Sequence, residues 1–195
     1  VRDLGRQIDP AKDVIKVLDV GCYYGGTIFH FLHKYKHRNL QFHGIDVDPE
    51  KIDYAKDLLK YVKHKPLQQR VSFSVLNVEK EKIKGSYDII VCIETIEHVH
   101  DVKTSLRHLY DALSPGGFLI ISTPNKENKI KYLIPFRKKL KSSIEEPDVV
   151  KGGHDIAESL FGVHITYVDG DYHWSVMSLK EIRHLLQQTG FALTE

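Results

Sequence analysis

Five short runs of apolar, largely β-branched residues alternate along the chain with stretches whose apolar residues recur every three or four positions. Runs of the first kind predict strands buried on both faces, and stretches of the second kind predict helices with one buried side. The predicted strands are residues 15–20, 41–45, 71–76, 87–93 and 118–122, and the predicted helices are residues 27–36, 49–62, 102–113 and 178–189. This alternation is typical of a doubly wound α/β domain with a mainly parallel sheet.

Several element boundaries carry their own signals. The Asp-Pro pair at 48–49 favours a helix start, and Ser-Pro-Gly-Gly at 114–117 predicts a turn that ends one helix and leads into the next strand. Ser178 and Glu181 have the spacing of a capping box, and Gly190 favours the end of the helix that they begin.

Residues 124–175 break this rhythm, and we expect them to form an insertion that acts as a substrate lid within a single domain spanning residues 1–195. After the last predicted helix only residues 191–194 remain for a strand, so a final strand is either missing or supplied by the insertion. Because the chain begins with Val1 rather than Met, we expect it to be part of a longer protein.

Composition narrows the function only slightly. A chain of 195 residues with 42% hydrophobic content fits one domain, and a formal net charge of +2 is too small to indicate nucleic acid or membrane binding. No apolar run is long enough to span a membrane. Cys22 and Cys92 stand at the ends of apolar strands without metal-ligand spacing, which predicts reduced, buried thiols in a cytoplasmic protein.

The first predicted strand runs into a glycine-bearing turn at residues 17–26, typical of a nucleotide-type cofactor site. Gly21 and Gly25 permit a sharp turn, because a Cβ would obstruct a positive φ or the ligand. Asp19 suits the cationic amino group of a methionine moiety and would repel a pyrophosphate. Tyr23 stands where a dinucleotide fingerprint needs its middle glycine. These residues therefore favour S-adenosylmethionine over NAD as the cofactor.

The ends of the next two strands supply the remaining cofactor candidates. Asp46 is expected to accept hydrogen bonds from the ribose hydroxyls, and Val47 to lie against the adenine ring. The amide oxygen of Asn77 would accept from the adenine amino group, or Asn77 is instead a turn residue that bonds its own backbone. The backbone N–H of Val78 would serve adenine N1.

Three ionisable residues, Glu94, Glu97 and His98, follow the fourth strand. If they lie on one helical turn, the two glutamates project to the same side and could chelate Mg²⁺ or Mn²⁺ with the imidazole. A divalent ion would acidify a substrate hydroxyl. Without a metal, His98 alone would act as the general base. Both hypotheses favour oxygen as the methyl acceptor.

The turn at 17–26 resembles motif I of the class I S-adenosylmethionine-dependent methyltransferases, and the resemblance extends over about residues 14–192. That family usually reads D-x-G-x-G-x-G, so Tyr23 replaces its middle glycine. The Tyr23 ring is expected either to close over the cofactor or to point away from it. The resemblance implies a Rossmann-like methyltransferase fold.

The chain carries an E-x-x-E-H motif at 94–98, Ser-Pro-Gly-Gly at 114–117 and Ser-Thr-Pro-Asn at 122–125. In these motifs it resembles the ubiquinone-biosynthesis O-methyltransferases and the metal-dependent small-RNA 2'-O-methyltransferases. The resemblance implies that Glu94, Glu97 and His98 bind a divalent ion. A second histidine completes the site in the RNA enzymes, and His173 is the candidate here, with His154 as the other.

The acceptor is not readable from the sequence, and a small or medium-sized hydroxylated molecule is preferred over RNA because the longer signature of the RNA enzymes is absent. Residues 126–141 interleave basic and apolar side chains. They would form a plain lid, contact an anionic membrane surface or bind RNA phosphates. A catalytically inactive cofactor-binding module is the alternative of another class, suggested by Tyr23 and the short C-terminal end.

Overall fold

The computed structural model describes residues 14–124 and 174–192, and these contain a five-stranded parallel sheet in the order β3-β2-β1-β4-β5. The strands are β1 (Ile15–Val20), β2 (Leu40–Asp46), β3 (Val71–Val75), β4 (Tyr87–Ile93) and β5 (Leu113–Ser122). The helices are α1 (Gly26–Lys34), α2 (Pro49–Leu59), α3 (Lys65–Gln68), α4 (Val102–Ala112) and α5 (Leu179–Thr189), with a 3₁₀ turn at Ile96–His98.

Two apolar layers cover the faces of the sheet. Helices α1 and α2 contribute Ile28, Phe29 and Ile52 to the layer that packs on one face. Helices α4 and α5 contribute Leu106 and Ile182 to the layer on the other face. The doubly wound α/β fold predicted from the alternation of elements is therefore confirmed.

Predicted helix caps are also confirmed. Asp48 precedes α2 and its Oδ1 accepts a hydrogen bond from the Glu50 N–H at 2.9 Å. Ser178 and Glu181 form the reciprocal capping box of α5, which ends at Gly190 with φ of 111°. Each device satisfies backbone groups that a helix end leaves unpaired.

The region after α4 departs from the prediction. The Ser-Pro-Gly-Gly sequence at 114–117 is not a separate turn before the strand, because β5 already begins at Leu113, which pairs with Tyr87. The register then shifts, and Phe118 pairs with Ile89. The glycines and proline therefore produce an irregularity within β5 rather than a connection before it. Helix α3 was not predicted.

Several expectations lie outside the described residues. They include nearly all of the predicted insertion at 124–175, the basic stretch at 126–141, His154 and His173. Cys22 and Cys92 are both free and buried, as expected. Among the helices of the described part, none has the length and apolar composition that a membrane span requires.

Candidate functional site

The predicted cofactor residues meet at the carboxyl edge of the sheet, because all five strands are parallel. Asp19 lies on β1 between Gly44 of β2 and Val91 of β4, and Asp46 ends β2. Open α/β sheets bind ligands in the crevice outside the carboxyl ends of their strands. Two acidic side chains on adjacent strands therefore stand at the edge where a ligand is expected.

The turn after β1 is built from left-handed residues. Gly21 and Gly25 have φ values of 67° and 81°, and Tyr23 has a φ of 52°. A Cβ at Gly25 would come within 2.7 Å of the Phe73 ring, and one at Gly21 would overlap the Thr95 side chain. The expected positive φ angles are confirmed. The atoms that a Cβ would meet belong to the protein. Glycine is therefore required at both positions by packing as well as by the backbone conformation.

Tyr23 is held by its backbone and by its ring. Its N–H donates to Asp46 Oδ2 at 2.9 Å. Its ring meets Tyr24 edge-on, with centroids 4.0 Å apart, and Lys51 Nζ lies 4.3 Å from the ring centroid. The ring thus packs against the start of α2, and a contact between it and the cofactor stays a prediction.

Asp46 is buried and joins two loops. Besides the bond from Tyr23, its Oδ1 accepts from the Asp48 N–H at 3.0 Å. One carboxylate therefore fixes the turn after β1 relative to the entry of α2, and each oxygen keeps a lone pair for a further donor. Its role as acceptor of the ribose hydroxyls stays a prediction that this geometry allows.

Asp19 differs from Asp46 in having an unsatisfied oxygen. The residue is only 4% exposed, and its buried Oδ2 has no hydrogen-bond partner within the described part of the chain. Burial, and secondarily the negative charge of Asp46, raises the pKa of Asp19 to about 7. An unpaired buried carboxylate is costly, and a cationic donor would remove that cost. The site therefore fits the ammonium group of S-adenosylmethionine.

The structure bears on the two predicted roles of Asn77, which are a contact with adenine and a turn residue that bonds its own backbone. Its Oδ1 accepts a hydrogen bond from the Glu79 N–H at 2.9 Å, the geometry of a turn residue bonding its own backbone. The Val78 side chain is buried in the apolar core. The role of a turn residue thus accounts for the observed hydrogen bond of Asn77. Contacts of Asn77 and Val78 with adenine stay predictions.

Exposed apolar side chains line the same edge. Val47 is 61% exposed just after β2, where it was expected to lie against the adenine ring. Val75 and Ile93, the last residues of β3 and β4, are exposed as well and were not recognised as site residues. Their signal was position alone, since each is the final residue of an apolar strand.

The acidic residues after β4 do not share one helical turn. The 3₁₀ turn begins at Ile96, so Glu94 lies outside it, with φ of 47° and an exposed side chain whose Oε1 accepts from Ser122 Oγ at 2.6 Å. Glu97, in contrast, is only 1% exposed. The condition that one helical turn carries both glutamates is therefore not met.

Within residues 14–124 and 174–192, no group of three or more His, Cys, Asp or Glu side chains is placed to hold a metal ion. Glu94, Glu97 and His98 thus do not form the expected metal-ligand cluster, because one carboxylate points to solvent and the other is buried. The fourth expected ligand, His173, lies outside the described residues, so its role stays a prediction.

The carboxyl group of Glu97 is enclosed by the protein. Its Oε2 and the Thr123 Oγ1 are both buried, and the Thr123 hydroxyl is near enough to favour the ionised form of Glu97. Burial above all raises the pKa of Glu97, while the nearby His98 charge acts in the opposite direction. The Glu97 carbonyl accepts from the Trp174 and Ser175 N–H groups at 2.8 and 2.9 Å, so the chain that follows the insertion is attached to this turn.

Thr95 is a structural residue of the site that the sequence did not indicate. Its Oγ1 lies 3.1 Å from the Val20 carbonyl and 2.9 Å from the Ile93 carbonyl, within donating distance of both. The contact joins the loop after β4 to the end of β1. No motif carries this signal, because the two segments meet only through strand pairing.

A cavity of about 300 Å³ lies elsewhere, at the amino ends of the strands. Lys16, His43, Arg70 and Tyr87 are among the residues that line it, and none of the predicted site residues does. The candidate site lies at the opposite, carboxyl edge of the sheet.

The fold and the acidic carboxyl edge define a doubly wound domain with a cofactor crevice. The chain belongs to the family described as "Methyltransferase domain", which matches residues 2–195. The resemblance to the class I S-adenosylmethionine-dependent methyltransferases is thereby confirmed.

Curated relatives include both N- and O-methyltransferases. The chain is 33% identical over 114 residues to norajmaline N-methyltransferase of Rauvolfia serpentina, covering 58% of the chain and 37% of the relative. It is 36% identical over 115 residues to the mitochondrial ubiquinone biosynthesis O-methyltransferase of Saccharomyces cerevisiae, covering 58% and 35%. The chain thus spans well under half the length of these relatives.

Solved structures share the fold at low identity. PKMT2 from Rickettsia typhi superimposes with a TM-score of 0.64 at 20% identity, over 96% of this chain and 41% of the other. The YcgJ protein of Bacillus gives a TM-score of 0.60 at 16% identity, over 94% and 64%. These similarities support the fold alone.

Proposed function

We propose that this domain binds S-adenosylmethionine at the carboxyl ends of β1 and β2 and directs methyl transfer to a hydroxyl oxygen of a small or medium-sized acceptor. The observation that carries the proposal is the unpartnered, buried oxygen of Asp19 beside Asp46. When bound, the cofactor would supply an electrophilic methyl group on its sulfonium sulfur.

Each residue of the cofactor half has a task that its environment supports. Asp19 accepts the ammonium group, because no described residue donates a hydrogen bond to its Oδ2. Asp46, already oriented by two backbone N–H groups, accepts the ribose hydroxyls. The exposed Val47 side chain covers one face of the adenine ring.

His98 is the residue that we assign to the acceptor. It ends the 3₁₀ turn after β4, and its N–H donates to the Thr95 carbonyl at 3.0 Å, which fixes the turn. Histidine is the usual general base near neutral pH, so His98 takes the proton of the acceptor hydroxyl. The Glu97 side chain next to it is buried.

A second candidate is methylation of an amine nitrogen. Its support is the 33% identity to norajmaline N-methyltransferase. His98 would have the same role there, taking a proton from the amine.

Divalent-metal assistance does not fit the described residues, and no step is assigned to a metal. RNA as acceptor and membrane contact through residues 126–141 depend on parts outside the described structure. Both stay hypotheses, as do the cytoplasmic location and the inactive cofactor-binding module.

The cofactor half is tested by calorimetric titration of S-adenosylhomocysteine into the purified chain and its variants. Asp46→Ala should weaken binding by about 2 kcal/mol, roughly 30-fold, because two charge-assisted ribose bonds are lost. Asp53→Ala is the matched control, since that carboxylate is 75% exposed on α2. Equal affinities in wild type and Asp46→Ala would remove Asp46 from the site.

The acceptor half is tested by transfer of a labelled methyl group to panels of hydroxylated compounds, amines and short RNAs, each with and without EDTA. His98→Asn should lower the rate by about 10²-fold or more, whereas His184→Asn, on the exposed side of α5, should not. Cofactor binding without transfer to any panel would favour the inactive module. Loss of transfer in EDTA would restore the metal hypothesis.

A further inference from the structure

Among residues 14–124 and 174–192, Asp19 has no partner that would favour its charged form. The side chain is buried, one oxygen is unsatisfied, and the adjacent strand brings a second carboxylate, Asp46. Asp46 already accepts two backbone hydrogen bonds. Two carboxylates in one buried site cannot both ionise cheaply.

The other titratable groups that act electrostatically with Asp19 are the thiols of Cys22 and Cys92. Burial above all raises the pKa of Cys92 to about 12 and that of Cys22 beyond its usual range, so both thiols are neutral near pH 7. In the described part of the chain, the influences on Asp19 are thus its burial and the Asp46 charge, and both disfavour ionisation.

We propose that Asp19 holds a proton in the cofactor-free site near neutral pH and releases it to solvent when a ligand bearing an ammonium group binds. The inference rests on the proposed function, because it uses the same cofactor site. The O–H bond of the carboxyl group breaks, the proton passes to buffer, and the resulting carboxylate pairs with the ammonium group.

This exchange makes Asp19 a specificity-determining group. A neutral carboxyl costs less to bury than a carboxylate, so the empty crevice avoids an unpaired charge. Only a ligand that brings a positive charge can stabilise the ionised form. An adenosyl ligand without the amino acid portion leaves the proton in place.

The size of the coupling follows from where Asp19 titrates. With its pKa at about 7 in the empty site, binding should release about 0.9 proton at pH 6 and about 0.1 at pH 8. The observed affinity should therefore rise about 10-fold between pH 6 and pH 8.

The test is calorimetric titration of S-adenosylhomocysteine at pH 6 and pH 8, each in two buffers with different ionisation enthalpies. The difference in heat between buffers counts the protons released. The matched ligand is 5'-methylthioadenosine, which keeps the adenosine and thioether but lacks the ammonium group, and it should release no proton. Asp19→Asn should abolish both proton release and the pH dependence of affinity, whereas Asp53→Asn should preserve them.

Asp46→Asn is a second variant that keeps the test informative if Asp19→Asn fails to fold. Removing the neighbouring charge should lower the pH at which affinity changes, even though binding weakens. If wild type binds S-adenosylhomocysteine without proton release and with equal affinity at both pH values, this inference is overturned and the proposed function stands. If wild type does not bind S-adenosylhomocysteine at either pH, the proposed function itself fails.

Discussion

The two halves of the carboxyl edge are organised by different kinds of contact. At the ends of β1 and β2, a single carboxylate, Asp46, accepts N–H groups from Tyr23 and Asp48, so backbone geometry fixes the cofactor half. At the ends of β4 and β5, groups distant in sequence meet through both side-chain and backbone contacts. Glu94 bonds Ser122, and the Glu97 carbonyl accepts from residues that follow the insertion.

The difference explains why one half is readable from sequence and the other is not. Glycine and aspartate at fixed spacing encode turns and strand-end carboxylates locally. The direction in which a glutamate side chain points after β4 depends on the residues, distant in sequence, that surround it. The spacing of residues within the motif does not determine this direction. Substitutions that separate local contacts from contacts distant in sequence can therefore test whether the two halves of the carboxyl edge differ in this way.

The largest effect is expected for Gly21→Ala. The new Cβ would overlap Thr95 and would also sit at a φ of 67°, so we expect a loss of about 3 kcal/mol or more in the free energy of unfolding and no measurable cofactor binding. Gly116→Ala is the matched control, because its φ is 75° but nothing lies within 4 Å of the added Cβ. Chemical denaturation of the two variants provides the measurement.

The control variant separates backbone strain from packing. Gly116→Ala should cost only about 1 kcal/mol, the penalty of a left-handed conformation. If both variants lose the same stability, the contact with Thr95 is unimportant and the cofactor half is fixed by φ alone.

The fold was predictable because buried parallel strands and amphipathic helices have different periods. Four of the five strands and four of the helices lie within a few residues of their predicted bounds, and residue type and spacing predict the cap at Asp48 and the capping box at Ser178. The start of β5 was misplaced, because proline and glycines normally end an element, yet pairing of Leu113 with Tyr87 extends the strand. That pairing is a tertiary contact.

The sequence predicted the site residues only where their position follows directly from the end of a strand. The positions of Asp19 and Asp46 at the carboxyl edge followed from strand order. The contact from Thr95 to Val20 joins residues 75 apart in sequence, so no motif could reveal it. The burial of Glu97 likewise depends on the neighbours that enclose it.

A moderate, pH-dependent effect is expected for Glu97→Gln. Because the pKa of Glu97 is raised in the folded protein, its contribution is fully present below the unfolded pKa and is lost as pH rises through the folded pKa. The glutamine variant should therefore gain stability relative to wild type as pH increases, by on the order of 1 kcal/mol. Denaturant unfolding at pH 5 and pH 8 measures this difference. A constant difference across this range would mean that Glu97 is already ionised in the folded protein at pH 5 and would contradict its raised pKa.

The smallest effect is expected for Glu94→Gln, since the side chain is exposed and its bond to Ser122 Oγ competes with water. The amide oxygen can still accept from Ser122, so we expect less than about 0.5 kcal/mol in stability and less than a 3-fold change in methyl transfer. Ser122→Ala, which removes the donor, should be equally mild. A large loss of transfer in Glu94→Gln, with stability unchanged, would contradict this. Glu94 would then contact the acceptor or a metal, and its chemistry would depend on residues beyond those described, as expected for the half of the edge whose contacts are remote in sequence.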